Sequence, residues 1–302
     1  TSPRARRHPA EWWRCNPNKS CARPVFTPYF APMPDWLQVI LLGVVEGITE
    51  FLPVSSTGHL LLAEPWLGAR PDHFTICIQS GAVLAVLAVF RERVRSIWEK
   101  RREAETQDYL KKLGFSFVLT GFGGLALKAA GWELPNTIAP IGWALLIGGL
   151  LFIAYELRQP KKVESDAEEN KPLSLTWTIA IAFGLAQLVA MVFPGASRSG
   201  ATILIGLILG MARRDAVEFS FLLGVPTLLA AGGYELASAL KENSNSVISE
   251  WNTLLLGTAA SAVTAFIVVN WLLGYLQRNT FMAFGWYRFG AGLLVLGMAA
   301  MA

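Results

Sequence analysis

Charge is the first thing this chain has little of. Asp, Glu, Lys and Arg make up 16% of its 302 residues, where a soluble globular domain carries roughly 25%. That shortage excludes an ordinary soluble enzyme, and it excludes disordered and nucleic-acid-binding chains, which need more charge and less apolar surface. Cysteine is scarce as well. Cys15, Cys21 and Cys77 are odd in number and widely spaced, which fits neither a disulfide framework nor a zinc site. Histidine stops early, since His8, His59 and His73 are the full set. Residues 1–33 lack the unbroken apolar run of a cleavable signal peptide.

A net basic charge is also missing from the body of the chain. The first 33 residues hold Arg4, Arg6, Arg7, Arg14, Lys19 and Arg23 against Glu11, a balance of +5 in a chain whose total is +4, so residues 34–302 stand at −1. The head reads as a disordered extension, or as a start set upstream of Met33. Residues 34–302 read as one transmembrane domain with repeat halves near 34–157 and 172–302.

What the sequence has in abundance is apolar length: 53% of it is hydrophobic and the mean hydropathy is +0.41. The stretches Phe74–Phe90, Leu113–Ala130, Ile138–Leu157, Leu173–Phe193, Val217–Leu240, Thr253–Leu276 and Phe281–Ala302 are each near the ~20 residues that cross a bilayer. Other apolar pieces are short and interrupted. One runs from Trp36 to Val45 and resumes from His59 to Leu67; another, Ala201–Met211, follows a Pro-Gly break. Pieces of that length cover about half of a ~30 Å hydrocarbon core, so they are expected to enter and turn back. Leu173–Phe193, by contrast, is long enough to cross completely.

Arg91–Lys112 holds eight basic residues and Arg158–Lys171 four. The positive-inside tendency places both connectors in the cytoplasm, and the two spans between them agree in parity. A shift of 142 residues aligns Val54-Ser55-Ser56-Thr57-Gly58 with Ala196-Ser197-Arg198-Ser199-Gly200 and Gly68 with Gly210. The expected fold is therefore an all-α, polytopic integral membrane protein with an inverted-topology repeat and two re-entrant broken-helix hairpins, whose breaks meet near the midplane.

Each break carries unusual residues. Glu46 and Glu50, four apart, share one helix face, and carboxylates inside a membrane are costly and functional by default. Pro53 then breaks the helix, and Ser55-Ser56-Thr57-Gly58 supplies hydroxyls and backbone amides in a turn. Helix capping is the plain explanation of those hydroxyls, as core packing is of a lone histidine. His59, directly after the glycine turn, is nevertheless a candidate for proton transfer. In the second break, Pro194-Gly195-Ala196-Ser197-Arg198-Ser199-Gly200-Ala201-Thr202, capping explains the serines but not Arg198. A guanidinium beside a helix amino terminus makes a phosphate site.

Together these motifs resemble the bacterial undecaprenyl-diphosphate phosphatase family of the bacitracin-resistance type. The resemblance covers roughly residues 34–302 and includes Gln79-x-Gly81, Glu218-Phe-Ser-Phe-Leu-Leu and Tyr287-Arg288. It implies a multi-pass hydrolase of the bacterial inner membrane, with its site open to the outer face. Such an enzyme removes the terminal phosphate of undecaprenyl diphosphate, which recycles the carrier lipid for cell-wall synthesis. By motif, the catalytic positions are Glu46, Glu50, Ser56, His59 and Arg198. Ser55, Thr57, Gly58, Ser197, Ser199, Gly200 and Thr202 would line the phosphates. The implied partners are the polyprenyl diphosphate and the bilayer, with no nucleic acid and a homodimer left open.

Ser56 is the candidate nucleophile with Glu50 or His59 as base, and direct attack by water is equally compatible with the sequence. No tightly bound cofactor is expected, but Glu46 and Glu50 are candidate ligands for Mg²⁺ or Ca²⁺ held with the diphosphate. The rival reading is an inverted-repeat transporter or flippase of a phosphorylated lipid. The two-histidine scheme of other lipid phosphatases is not available, because no histidine follows Arg198.

Overall fold

Backbone amides cannot go unpaired in a bilayer, so long apolar runs close their hydrogen bonds internally as helices. Every regular element among the described residues is helical. The computed structural model describes residues 33–132, 137–159, 175–249 and 251–301. The basic head and the Lys161, Lys162 and Lys171 part of the second connector lie outside them.

The first half comprises α1 (Asp35–Thr49), α2 (Ser56–Leu67), α3 (Asp72–Val89), α4 (Arg91–Glu99), α5 (Ala104–Ala129) and α6 (Ala139–Arg158). The second comprises α7 (Trp177–Val192), α8 (Arg198–Ile208), α9 (Arg213–Ser249), α10 (Trp251–Leu276) and α11 (Met282–Met301). Among the described residues five helices are long and apolar enough to cross a membrane: α5, α6, α9 over 213–241, α10 and α11. The α3–α4 pair, bent by 69°, makes a sixth if it is counted as one span. The chain is a multi-pass membrane protein. Helices α1, α2, α7 and α8 have 15, 12, 16 and 11 residues. At 1.5 Å per residue each is shorter than a ~30 Å hydrocarbon core.

Three sequence expectations change in detail. The first apolar piece does not stop at Val45: α1 runs to Thr49, whose hydroxyl donates back to the Val45 carbonyl at 2.7 Å. Glu46 is thus inside the helix and fully buried. The long stretch from Leu173 becomes a 16-residue helix because the Thr176 side chain caps it, accepting from the Ile179 amide, while residues 173 and 174 lie outside the described set. The basic connector after Phe90 contains a helix of its own, α4, none of whose residues is buried.

The 142-residue shift has a structural counterpart. Exchanging α1 with α7, α2 with α8, α3 with α9, α5 with α10 and α6 with α11 carries the principal pairings onto one another. Helix α1 packs on α10 as α7 packs on α5, and α3 packs on α10 as α9 packs on α5; α3–α9 and α6–α11 map onto themselves. Gly68 and Gly210, which follow the two short helices α2 and α8, both have positive φ, at 80° and 86°.

Without a hydrophobic force between helices in lipid, small residues let backbones approach closely. A Cβ on Gly43 or Gly47 of α1 would run into the Gly257 or Ser261 carbonyl of α10, and a Cβ on Gly149 of α6 would lie 2.7 Å from the Gly285 carbonyl of α11. Gly292 meets the Gly142 carbonyl in the same way, so α6 and α11 run antiparallel along a glycine seam. Hydroxyls add to the packing: Ser116 of α5 donates to the Ala180 carbonyl of α7 at 2.7 Å. The outer surfaces are apolar, with Phe122 70%, Val263 63% and Leu294 62% exposed. Hydrocarbon solvates such a surface and water does not.

Gly149→Val should force α6 away from α11 and lower thermal stability in detergent, since overpacking costs about 1–3 kcal/mol. Gly290→Ala, where an added Cβ meets nothing within 4 Å, is the control. Equal melting temperatures for the two variants would refute the seam.

Candidate active site

The two breaks are built alike. Ser55 and Ser197 are the only non-glycine residues with positive φ among those described, at 75° and 67°. Each caps the short helix that follows: Ser55 Oγ accepts from the Gly58 amide and Ser197 Oγ from the Gly200 amide. Left-handed backbone at a non-glycine residue costs of order 1–3 kcal/mol and persists only where its surroundings impose it. Here it turns each chain sharply, so that both short helices begin at one place.

That place is a cavity of about 220 Å³. Ser55, Ser56 and Thr57 line it from the start of α2, Ser197 and Arg198 from the start of α8, and Glu50 from the end of α1. Two positive helix ends therefore converge on one space. Glu50 is 7% exposed and joins the halves. Its Oε2 accepts from Ser56 Oγ at 2.6 Å, and its Oε1 accepts from the Arg198 guanidinium at 3.2 Å. Arg198 also lies over the Phe51 ring, 5.6 Å from its centre, and its Nε has no partner. Gly224 of α9 leaves the room that the guanidinium occupies. Glu46 is fully buried against Glu50, and neither of its carboxylate oxygens has a hydrogen-bond donor within reach.

The remaining motif residues divide differently from the sequence expectation. Ser199 is fully buried and donates to the Glu50 and Leu52 carbonyls, at 3.3 and 3.0 Å, tying one break to the other. Thr202 bonds the Arg198 carbonyl and the Ser220 hydroxyl. Gly58 and Gly200 are close-packing positions, where a Cβ would meet Ile141 and Arg288 respectively. None of these four lines the cavity; the Ser199 and Thr202 hydroxyls bond within the protein and the two glycines admit neighbouring side chains. His59 lies outside the lining too, bonded to the Ser55 carbonyl and the Tyr287 hydroxyl. No cluster of three or more His, Cys, Asp or Glu side chains able to hold a metal occurs among the described residues, so a cation at Glu46 and Glu50 would need ligands from elsewhere.

Sequence reasoning gave no role to two sets of residues, although Gln79 and Arg288 belong to the resemblance. Gln79, Thr120, Gln187 and Thr227 complete the cavity wall from α3, α5, α7 and α9, and single polar residues within long apolar helices were the available signal. Arg288 is the larger omission. It is fully buried, and its guanidinium donates to the carbonyls of Pro53 in the first break, of Gly195 and Ala196 in the second, and of Ala144 in α6, at 2.9–3.3 Å. A cation in the middle of an apolar span is conspicuous, but its ligands are main-chain atoms that no motif encodes.

The architecture is that of a multi-pass membrane protein in which a buried carboxylate, a serine and a guanidinium gather around a cavity suited to an anionic headgroup. The chain belongs to the bacitracin resistance protein BacA family, whose family model matches residues 39–294. A protein of Rhizobium etli (strain CIAT 652) named undecaprenyl-diphosphatase is 46% identical over 266 residues, covering 88% of this chain and 97% of its own. Relatives of the same name from Xanthomonas euvesicatoria pv. vesicatoria (strain 85-10) and Xylella fastidiosa (strain 9a5c) are 45% and 46% identical. They cover 87% and 85% of this chain and 97% and 96% of their own.

Arg288→Met removes the donor shared by both breaks and leaves their carbonyls unpaired. Each buried polar group so stranded costs about 1–3 kcal/mol, so the melting temperature in detergent should fall markedly, with Arg288→Lys intermediate. An unchanged transition in Arg288→Met would mean that the breaks hold their shape without it.

Proposed function

We propose that this protein is an undecaprenyl-diphosphatase that acts at the cavity between α2 and α8, releasing phosphate from undecaprenyl diphosphate and so returning the carrier lipid to cell-wall synthesis. The Glu50 carboxylate, bonded at one oxygen to Ser56 and at the other to Arg198, carries this reading. The four short helices make two hairpins that enter the bilayer and turn back, with the breaks near the midplane and the cavity opening toward the outer face of the bacterial inner membrane. The long prenyl chain lies among the helices while the diphosphate reaches the breaks.

Chemically, a serine whose hydroxyl already donates to a buried carboxylate is a nucleophile with its base in place. Ser56 Oγ attacks the terminal phosphorus as its proton passes to Glu50. The bond from that phosphorus to the bridging oxygen breaks, and undecaprenyl phosphate leaves. Water then attacks the phosphoserine, the bond from phosphorus to Ser56 Oγ breaks as Glu50 returns its proton to that oxygen, and inorganic phosphate leaves with the oxygen of the water. Arg198 and the first amides of α2 and α8 stabilise the charge that builds on the equatorial oxygens. The transporter reading accounts for broken helices but gives the Ser56–Glu50 bond no task.

A divalent cation would be held by Glu50, which lines the cavity, with Glu46 set against it; Glu46 has no donor on either oxygen but is fully buried and outside the lining. Two carboxylates with substrate phosphate oxygens are a donor set that Mg²⁺ accepts, and a bound cation would neutralise diphosphate charge. The assay is phosphate release by purified protein in detergent, where no gradient exists to drive transport. A chelator should suppress the release and added Mg²⁺ or Ca²⁺ restore it; indifference to chelation removes the cation.

Arg198→Ala should abolish phosphate release, by about three powers of ten as for loss of a charge-stabilising donor, while membrane insertion is kept. Near-normal turnover refutes the anion-receptor role. Ser56→Ala should be inactive, and acid quenching of the wild type with terminally radiolabelled substrate should leave label on the protein. Substantial turnover by Ser56→Ala makes water the nucleophile.

A further inference from the structure

We propose that His59 positions the reactive serine and does not carry its proton, and that Tyr287 of α11 is the residue that holds His59 in place. This rests on the phosphatase reading above and assigns roles within that site.

Both imidazole nitrogens are already committed. Nδ1 lies 2.7 Å from the Ser55 carbonyl oxygen, which can only accept, so Nδ1 bears the hydrogen. Nε2 lies 2.5 Å from the Tyr287 hydroxyl, and the two rings stack with planes 9° apart and centres 5.6 Å apart. Neither nitrogen is directed at Ser56 Oγ, whose hydrogen goes to Glu50 Oε2. His59 also stands outside the cavity lining, whereas Glu50 and Ser56 are part of it.

What His59 does grip is the strained residue. The Ser55 carbonyl accepts from the His59 side chain at 2.7 Å and from the His59 backbone amide at 3.3 Å. This carbonyl belongs to the peptide that leads into Ser56, and Ser55 has φ of 75°. Two donors on one oxygen hold that peptide plane and hence the direction of the Ser56 side chain. In the other half, the position 142 residues on from His59 is Ala201, which offers the Ser197 carbonyl only its backbone amide, at 2.9 Å. There the chain just before the serine is held by Arg288 through the Gly195 and Ala196 carbonyls. Adjacent residues of α11 therefore secure the two breaks, Tyr287 through His59 in the first, and Arg288 directly in the second as well as at the Pro53 carbonyl of the first.

The test uses amide replacements that mimic one imidazole nitrogen each. An asparagine amide nitrogen falls near Nδ1 and can still donate to the Ser55 carbonyl; a glutamine amide nitrogen falls near Nε2 and cannot. Phosphate release from undecaprenyl diphosphate is measured for wild type, His59→Asn, His59→Gln, His59→Ala and Tyr287→Phe. His59→Asn should retain activity within about tenfold of wild type with the wild-type shape of its pH profile. His59→Gln and His59→Ala should lose about a hundredfold in kcat, the scale of a 1 Å misplacement. Tyr287→Phe should lower kcat about three- to tenfold with KM unchanged, as for loss of one orienting contact. If His59→Asn is as inactive as His59→Ala, or its pH profile loses a limb, His59 is the base and the proposal is overturned. An unaffected Tyr287→Phe overturns the role of Tyr287. A wild-type protein that releases no phosphate refutes the phosphatase reading and this proposal with it, an outcome distinct from an active wild type with an inactive asparagine variant.

Discussion

An ionised carboxylate is costly to bury inside a membrane protein, and Glu50, at 7% exposure, is offset by one donor from each half of the chain. The consequences reach in both directions. Structurally, the Ser56 and Arg198 contacts pull the starts of α2 and α8 toward one carboxylate. Chemically, a buried ion pair is poor at adding net stability, so its presence is better explained by what it does to a ligand. An anion entering the cavity meets Arg198, with its Nε unpartnered, and two helix amino termini. It meets them where water is scarce and electrostatic interactions are strong.

Gathering reactive groups at two helix breaks creates a second problem, because irregular backbone exposes polar groups that lipid cannot pair. The solution lies largely in two side chains, one in α11 and one within the second break. Arg288 takes carbonyls from both breaks, and Ser199 takes the Glu50 and Leu52 carbonyls. The glycines of the α6–α11 seam matter for the same reason. Gly148 and Gly200 vacate the volume that the Arg288 guanidinium fills, so close helix packing and satisfaction of the loops form one arrangement.

These facts set what could be read from the sequence. Composition and apolar length revealed a multi-pass helical protein, because span length is a direct consequence of bilayer thickness. The acidic pair and Arg198 stood out, since charge is expensive in an apolar run. The roles of Ser199, Thr202, Gly58 and Gly200 were not legible. A motif names residues but not what each faces: the Ser199 and Thr202 hydroxyls bond within the protein, and the two glycines make room for neighbours. Arg288 and Tyr287 were visible only as part of a resemblance. Their partners lie 92–235 and 228 residues away in the chain, and Arg288 bonds only main-chain atoms.

The repeat explains why one site has two such different halves. The same shift that superposes Ser55 on Ser197 and Gly58 on Gly200 places Ser56 on Arg198, each the first residue of its short helix. A single backbone device, a left-handed serine cap followed by a helix start, thus aims a hydroxyl from one side and a guanidinium from the other at the same carboxylate. Glu50 breaks the symmetry, because the residue 142 places on is Val192, and Glu46 corresponds to Leu188. Two copies of the frame supply convergence, but a symmetric filling would place like beside like: two hydroxyls without a cation, or two guanidiniums repelling each other. The proposed chemistry needs a nucleophile, a base and an anion receptor in one space, so the frame can remain duplicated while the side chains it carries must differ.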